Sequence, residues 1–145
     1  MNADAEPVAP TPDAYEATVV RVDLPLDVQA PALARRTVAA LLDVWLPLDE
    51  QFVEDVVLLT SELVSNAVRH GGHRVWLQLA LDTGAVVVSV GDGSVMPVQR
   101  PGSEVDETVR GLAIVEAIAE SIGVEEDAGG GKRVWARVPL PDGAA

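Results

Sequence analysis

The segment Leu58-Leu59-Thr60-Ser61-Glu62-Leu63-Val64-Ser65-Asn66-Ala67-Val68-Arg69-His70-Gly71-Gly72 constrains this chain more than any other. Apolar residues at Val53, Val56, Val57, Leu59, Leu63, Val64, Ala67 and Val68 follow the spacing of a helix with one buried face. Gly71 and Gly72 end it. A polar stripe runs beside the apolar face: Glu62, Asn66 and His70 each follow the last by four residues. At that spacing side chains stack on one side of a helix, roughly 6 Å apart along its axis. A solvated surface is the ordinary account of such a stripe. Two features point elsewhere. The stripe borders apolar residues rather than Lys and Glu, and asparagine is a poor former of helix interiors. A half-buried Glu and Asn need partners, which a metal and its ligand would supply.

The length of 145 residues suits one domain, and 48% hydrophobic residues can fill its core. Aromatics are only 3%, so Val, Leu, Ile and Ala must do the filling. With no cysteine, disulfides, a thiol nucleophile and a Cys-based zinc site are excluded. A net charge of -13 argues against nonspecific binding to nucleic acid or an anionic membrane. The acidic, proline-bearing start has no basic n-region or apolar run, and no apolar stretch approaches the roughly 20 residues that span a bilayer. The expectation is a cytoplasmic protein with no direct nucleic-acid or membrane partner.

Along the chain, residues 1–14 have no period and are expected to be a disordered tail, with the domain over 15–141 and a short tail at 142–145. Glu16 to Leu24 alternates as a first strand, at a sheet edge. Pro31 to Trp45 predicts a helix burying Leu33, Val38, Leu41, Leu42 and Trp45, with Arg35 and Arg36 outward. Asp49 is the expected N-cap of the long helix. Strands are predicted at Arg74 to Leu81 and Ala85 to Val90, the second running into Gly91-Asp92-Gly93. Ser94 to Thr108 has no period and is long for a connection, as functional lids are. Val109 to Ser121 predicts a helix with Leu112, Val115, Ile118 and Ala119 inward and Gly123 ending it. A short strand over 124–127 and a last strand from Arg133 to Leu140 follow, with Lys132 in the turn between them.

Three groups of residues could carry chemistry: the Glu62/Asn66/His70 stripe, Asp92 between two glycines at a strand end, and Arg110-Gly111-Leu112 at a helix start. Free N–H groups and the helix dipole make such a start a natural phosphate site. Their order resembles that of the Bergerat-fold ATPases, which include gyrase, histidine kinases and mismatch-repair ATPases. The likeness is greatest to the small stand-alone bacterial branch of anti-sigma-factor serine kinases, and it covers nearly the whole chain after residue 16. Residues 62–71 resemble that branch's N-box, Val90-Gly91-Asp92-Gly93-Ser94 its first glycine box, and Arg110-Gly111-Leu112-Ala113-Ile114-Val115 its second. Gly131-Lys132-Arg133-Val134-Trp135-Ala136 resembles its final strand.

The resemblance implies an α/β two-layer sandwich: a mixed, mostly antiparallel sheet with about three helices on one face. It implies ATP and Mg²⁺ as cofactors. Asn66 would give its amide oxygen to Mg²⁺, a hard cation that takes oxygen ligands. Glu62 would be the general base acting on water or a substrate serine. Asp92, with Gly93 beside it, would accept a hydrogen bond from the adenine amino group, where guanine presents a repelling carbonyl. Backbone N–H groups at Arg110, Gly111 and Leu112 would hold the phosphates under the 94–109 lid. His70 would be structural or sit at the pocket edge rather than act in catalysis, and Lys132 would be a hairpin-turn residue in preference to one that approaches the terminal phosphate. Val109 stands where the second glycine box has glycine, and Glu104, Asp106 and Glu107 make the lid acidic. Both features weaken the expected grip on phosphate.

The function implied is an anti-sigma factor and ATP-dependent serine kinase. Its partners would be a sigma factor and a small anti-anti-sigma protein with a phosphorylatable serine. The alternative is a non-catalytic partner-binding module of the same fold. Small kinases of this branch are often dimers, so a homodimer is allowed, though no interface is visible in the sequence. A hydrolase has little support, because Ser61 and Ser65 lie within a helix rather than at a nucleophile elbow.

Overall fold

The computed structural model describes residues 18–45, 50–70, 74–93, 113–126 and 131–141. Strand β1 (Val19–Leu24) leads into helices α1 (Ala30–Trp45) and α2 (Glu50–His70). Strands β2 (Val75–Asp82) and β3 (Ala85–Asp92) form a hairpin closed by Thr83 and by Gly84, whose φ of 72° favours glycine. A short helix, α3 (residues 113–118), precedes β4 (Ser121–Glu126) and β5 (Lys132–Pro139).

The strands form one sheet in the order β1-β2-β3-β5-β4. Each of its pairings is antiparallel, so the parallel component that the sequence left room for is absent among the described strands. The order follows from one crossover. The chain leaves β3, returns at the far edge as β4, and then inserts β5 between the two. The start of β5 therefore lies against the end of β3, where Lys132 pairs with Asp92.

Helices α1 and α2 cover one face of the sheet. Alternation along the central strands is strict: Leu77, Leu79, Val86, Val88, Val90, Ala136 and Val138 point to the helices and are buried. They meet Ala34, Val38 and Leu42 of α1 and Val56, Leu59, Leu63, Val64 and Ala67 of α2. Burying a side chain such as Leu59 stabilises the fold by about 1.5–3 kcal/mol. Leu33, Leu41 and Trp45 pack on the margin of this core rather than within it. Arg35 and Arg36 are exposed as expected, and Arg35 Nη1 donates to Ser61 Oγ at 3.0 Å, tying α1 to α2.

The opposite face holds the two strand tryptophans that lie over glycines. A Cβ on Gly91 would overlap the Trp76 ring, and one on Gly123 would overlap Trp135. Arg21 covers Trp76, its guanidinium 3.8 Å from the ring centroid. A groove on this face is lined by Val87, Ser89, Arg133 and Trp135 among others. By strand alternation it lies on the other side of the sheet from Asp92.

Element boundaries shift where pairing overrides local pattern. Ser121 and Gly123, expected as the end of a helix, belong to β4. Gly123 is there because Trp135 of the neighbouring strand lies across it, not because a helix stops. Strand β3 runs two residues past Val90, since Gly91 and Asp92 pair with β2 on one side and β5 on the other. The first strand begins at Val19 and is an edge strand. The expected tails at 1–14 and 142–145, the Asp49 cap, the closing Gly71 and Gly72 and the 94–109 lid lie outside the described residues. No described helix is long and apolar enough to cross a membrane.

Candidate functional site

Helix α2 presents its polar stripe in the arrangement that four-residue spacing dictates. Glu62, Asn66 and His70 are all half-buried, between the core residues Leu63 and Ala67 and the exposed Arg69. The polar groups of this helix fall into two kinds. Thr60 is fully buried, but its Oγ1 donates to the Val56 carbonyl at 2.8 Å, and Ser61 is held by Arg35. Asn66 Oδ1 and His70 Nε2 are buried atoms with no hydrogen-bond partner among the described residues. A buried polar atom left without a partner costs about 1–3 kcal/mol. Two such atoms lie one turn apart, on the stripe that also carries the Glu62 carboxylate.

The second part of the site is at the end of β3. Asp92 is the last residue of that strand and is only 5% exposed. It lies on the helix-covered face, in line with Val86, Val88 and Val90. Helix α2 ends at His70, and after a short connection the chain enters β2 at Val75, which pairs with Asp92. The C-terminal end of α2 and the Asp92 carboxylate are thus at the same end of the sheet. Gly93 N donates to the Arg74 carbonyl at 3.3 Å, which fixes the chain just past Asp92.

One residue stands elsewhere than its preferred sequence reading put it. Lys132 is not a turn lysine. It is the first residue of β5, 7% exposed, with Nζ 3.5 Å from Asp92 Oδ2. Beside it, a Cβ on Gly131 would overlap the Asp92 backbone oxygen, so the close approach of β5 to β3 requires glycine. A signal for this existed. Counting back along the alternation Val138, Ala136, Val134 puts Lys132 on the core face. What the sequence lacked was the strand order that sets β5 beside β3.

Arg110, Gly111 and Leu112 lie outside the described residues; the helix they were expected to start is described from residue 113, with Val115 buried in the core. Of the expected set, the structure thus describes Glu62, Asn66, Asp92 and Gly93 in two clusters at one end of the sheet.

The family profile described as the histidine kinase-like ATPase domain matches residues 24–138. The chain belongs to this family. No curated protein matches it. The match runs from the end of β1 to the penultimate residue of β5, so it takes in both clusters and every strand pairing that brings them together. Membership makes the domain an ATP-binding one. Its residues fit Mg²⁺ at the α2 stripe: the orphaned Asn66 Oδ1 is a neutral oxygen donor, with the Glu62 carboxylate one turn away. No cluster of three or more His, Cys, Asp or Glu suited to a metal occurs among the described residues.

Proposed function

We propose that this histidine kinase-like ATPase domain belongs to a regulatory protein that binds Mg-ATP and phosphorylates a serine on a small antagonist protein. It would act also as an anti-sigma factor by sequestering its partner. The observation that carries the reading is Asn66 Oδ1, buried and without a partner among the described residues, one turn after Glu62, at the end of the sheet where Asp92 lies.

Each residue has a distinct part. Asn66 holds Mg²⁺, and the ion neutralises charge on the phosphates when bound. Asp92 accepts a hydrogen bond from the adenine amino group and fixes the base. Glu62 takes the proton from the attacking serine hydroxyl as that oxygen bonds to the γ-phosphorus and the bond to the bridging oxygen breaks; ADP leaves with that oxygen. Backbone N–H groups at Arg110, Gly111 and Leu112 are assigned to the phosphates on the family resemblance alone. The same resemblance supplies the partner classes and allows a homodimer.

The test is nucleotide titration followed by transfer. Wild type should bind ATP with Mg²⁺, and Glu62→Ala should keep that binding while losing phosphoryl transfer to a serine-bearing partner. Transfer by the Glu62 variant at the wild-type rate would remove it as the base. A second reading is favoured by Val109 and the acidic residues around it: a non-catalytic module that binds a partner protein through the same fold. That reading predicts a partner complex indifferent to ATP and to Glu62→Ala.

A further inference from the structure

We propose that Lys132 is a second base-reading residue, working with Asp92 to select adenine nucleotides over guanine nucleotides. The inference rests on the reading of the Asp92 end as the base pocket and goes beyond it. The two side chains extend from directly paired positions of β3 and β5, on the helix-covered face. Both are nearly excluded from solvent, with side-chain exposures of 8% for Lys132 and 4% for Asp92. A buried lysine needs a counter-charge, and Asp92 supplies it at 3.5 Å. That role alone would make Lys132 structural, but its chemistry exceeds it. An ammonium carries three donors, so its contact with Asp92 leaves Lys132 donors beyond that pair, and a carboxylate can accept several hydrogen bonds at once.

The pair presents a hydrogen-bond acceptor and a donor next to each other. On its Watson–Crick edge adenine carries the complementary order, its amino group lying beside the N1 acceptor, and only on this edge does the ring nitrogen differ from guanine's, since both bases accept at N7. Asp92 takes the amino hydrogen and Lys132 donates to the neighbouring ring nitrogen. On its Watson–Crick edge, guanine in the same pose brings a carbonyl to Asp92 and an N–H to Lys132, so both contacts are repulsive. The pair cannot readily exchange places to suit guanine. Gly131 packs against the Asp92 backbone oxygen, and the β3–β5 register locks the two strands together. Selection is therefore read at two points, where Asp92 alone would give one.

The experiment measures ADP and GDP affinities, which need no turnover, for the full chain and for Lys132→Met and Lys132→Arg. Lys132→Met should bind ADP roughly tenfold more weakly, as loss of one charged hydrogen bond implies, and its ADP/GDP preference should fall by a similar factor. Lys132→Arg keeps a charged donor and should recover part of that preference. On the unaltered chain, the 1-deaza analogue of ADP should lose about as much affinity, because it lacks the ring nitrogen that Lys132 contacts, while the 7-deaza analogue should bind like ADP. This arm holds even if Lys132→Met does not fold. An unchanged ADP/GDP preference in a folded Lys132→Met overturns the proposal, as does a 1-deaza analogue that binds like ADP. Tighter ADP binding by Lys132→Met also overturns it, since Lys132 would then be competing with the base. Failure of the wild-type chain to bind ADP at all would instead overturn the base-pocket reading beneath it.

Discussion

The two ends of the candidate site satisfy their polar groups in opposite ways. At the β3–β5 end, Asp92 and Lys132 are both buried and already paired across two strands. On α2, Asn66 Oδ1 and His70 Nε2 are just as hidden and have no partner among the described residues. The first end has its two charges paired within the protein, and the second has polar atoms that the described residues leave open. Stability and binding should accordingly be linked at the strand end and opposed on the helix.

That contrast can be broken by substitution, and the largest effect should come from the strand end. Asp92→Ala leaves the Lys132 ammonium buried without its counter-charge, and removing one partner of a buried pair costs about 3–5 kcal/mol. Chemical denaturation of the variant should show this loss. A variant as stable as wild type would mean that the pair is not closed from solvent. Next in size is Gly131→Ala. The added Cβ meets backbone rather than a movable side chain, and overpacking of this kind costs about 1–3 kcal/mol. A lowered melting temperature together with weakened ADP binding is expected.

On α2 the sign reverses. Asn66→Ala deletes a buried oxygen without a partner among the described residues and installs a better helix former, a gain of about 0.6 kcal/mol from propensity alone. The variant should melt slightly higher and lose Mg²⁺-dependent nucleotide binding. A destabilised Asn66→Ala would show that the amide has a structural partner after all. The smallest effect is expected at Arg133, whose ion pair with Glu125 is solvent-exposed on the opposite face of the sheet. Arg133→Ala should change stability by about 0.5 kcal/mol or less and leave nucleotide affinity alone.

The helix stripe was fully legible in the sequence, because helical periodicity is local and Glu62, Asn66 and His70 are separated only by turns of one element. Asp92 was legible as well, as a charge at the end of a β-branched run. The Asp92–Lys132 pair was not. It depends on β5 inserting between β3 and β4, a long-range choice that no window of residues around Lys132 records. The same limit misplaced Gly123. A glycine after a helical pattern reads locally as a stop, whereas here it makes room for Trp135 from the next strand. Local pattern located the elements and the polar stripe of α2, and sheet order decided which side chains meet.

The most direct test of the site is calorimetric titration of the full chain with ATP, with and without Mg²⁺, alongside Asn66→Ala. The wild-type chain should bind ATP more tightly when Mg²⁺ is present, and Asn66→Ala should bind with the same affinity whether Mg²⁺ is there or not. An absence of ATP binding at millimolar concentration with Mg²⁺, or an Asn66→Ala variant that keeps the full Mg²⁺ dependence, would contradict the account.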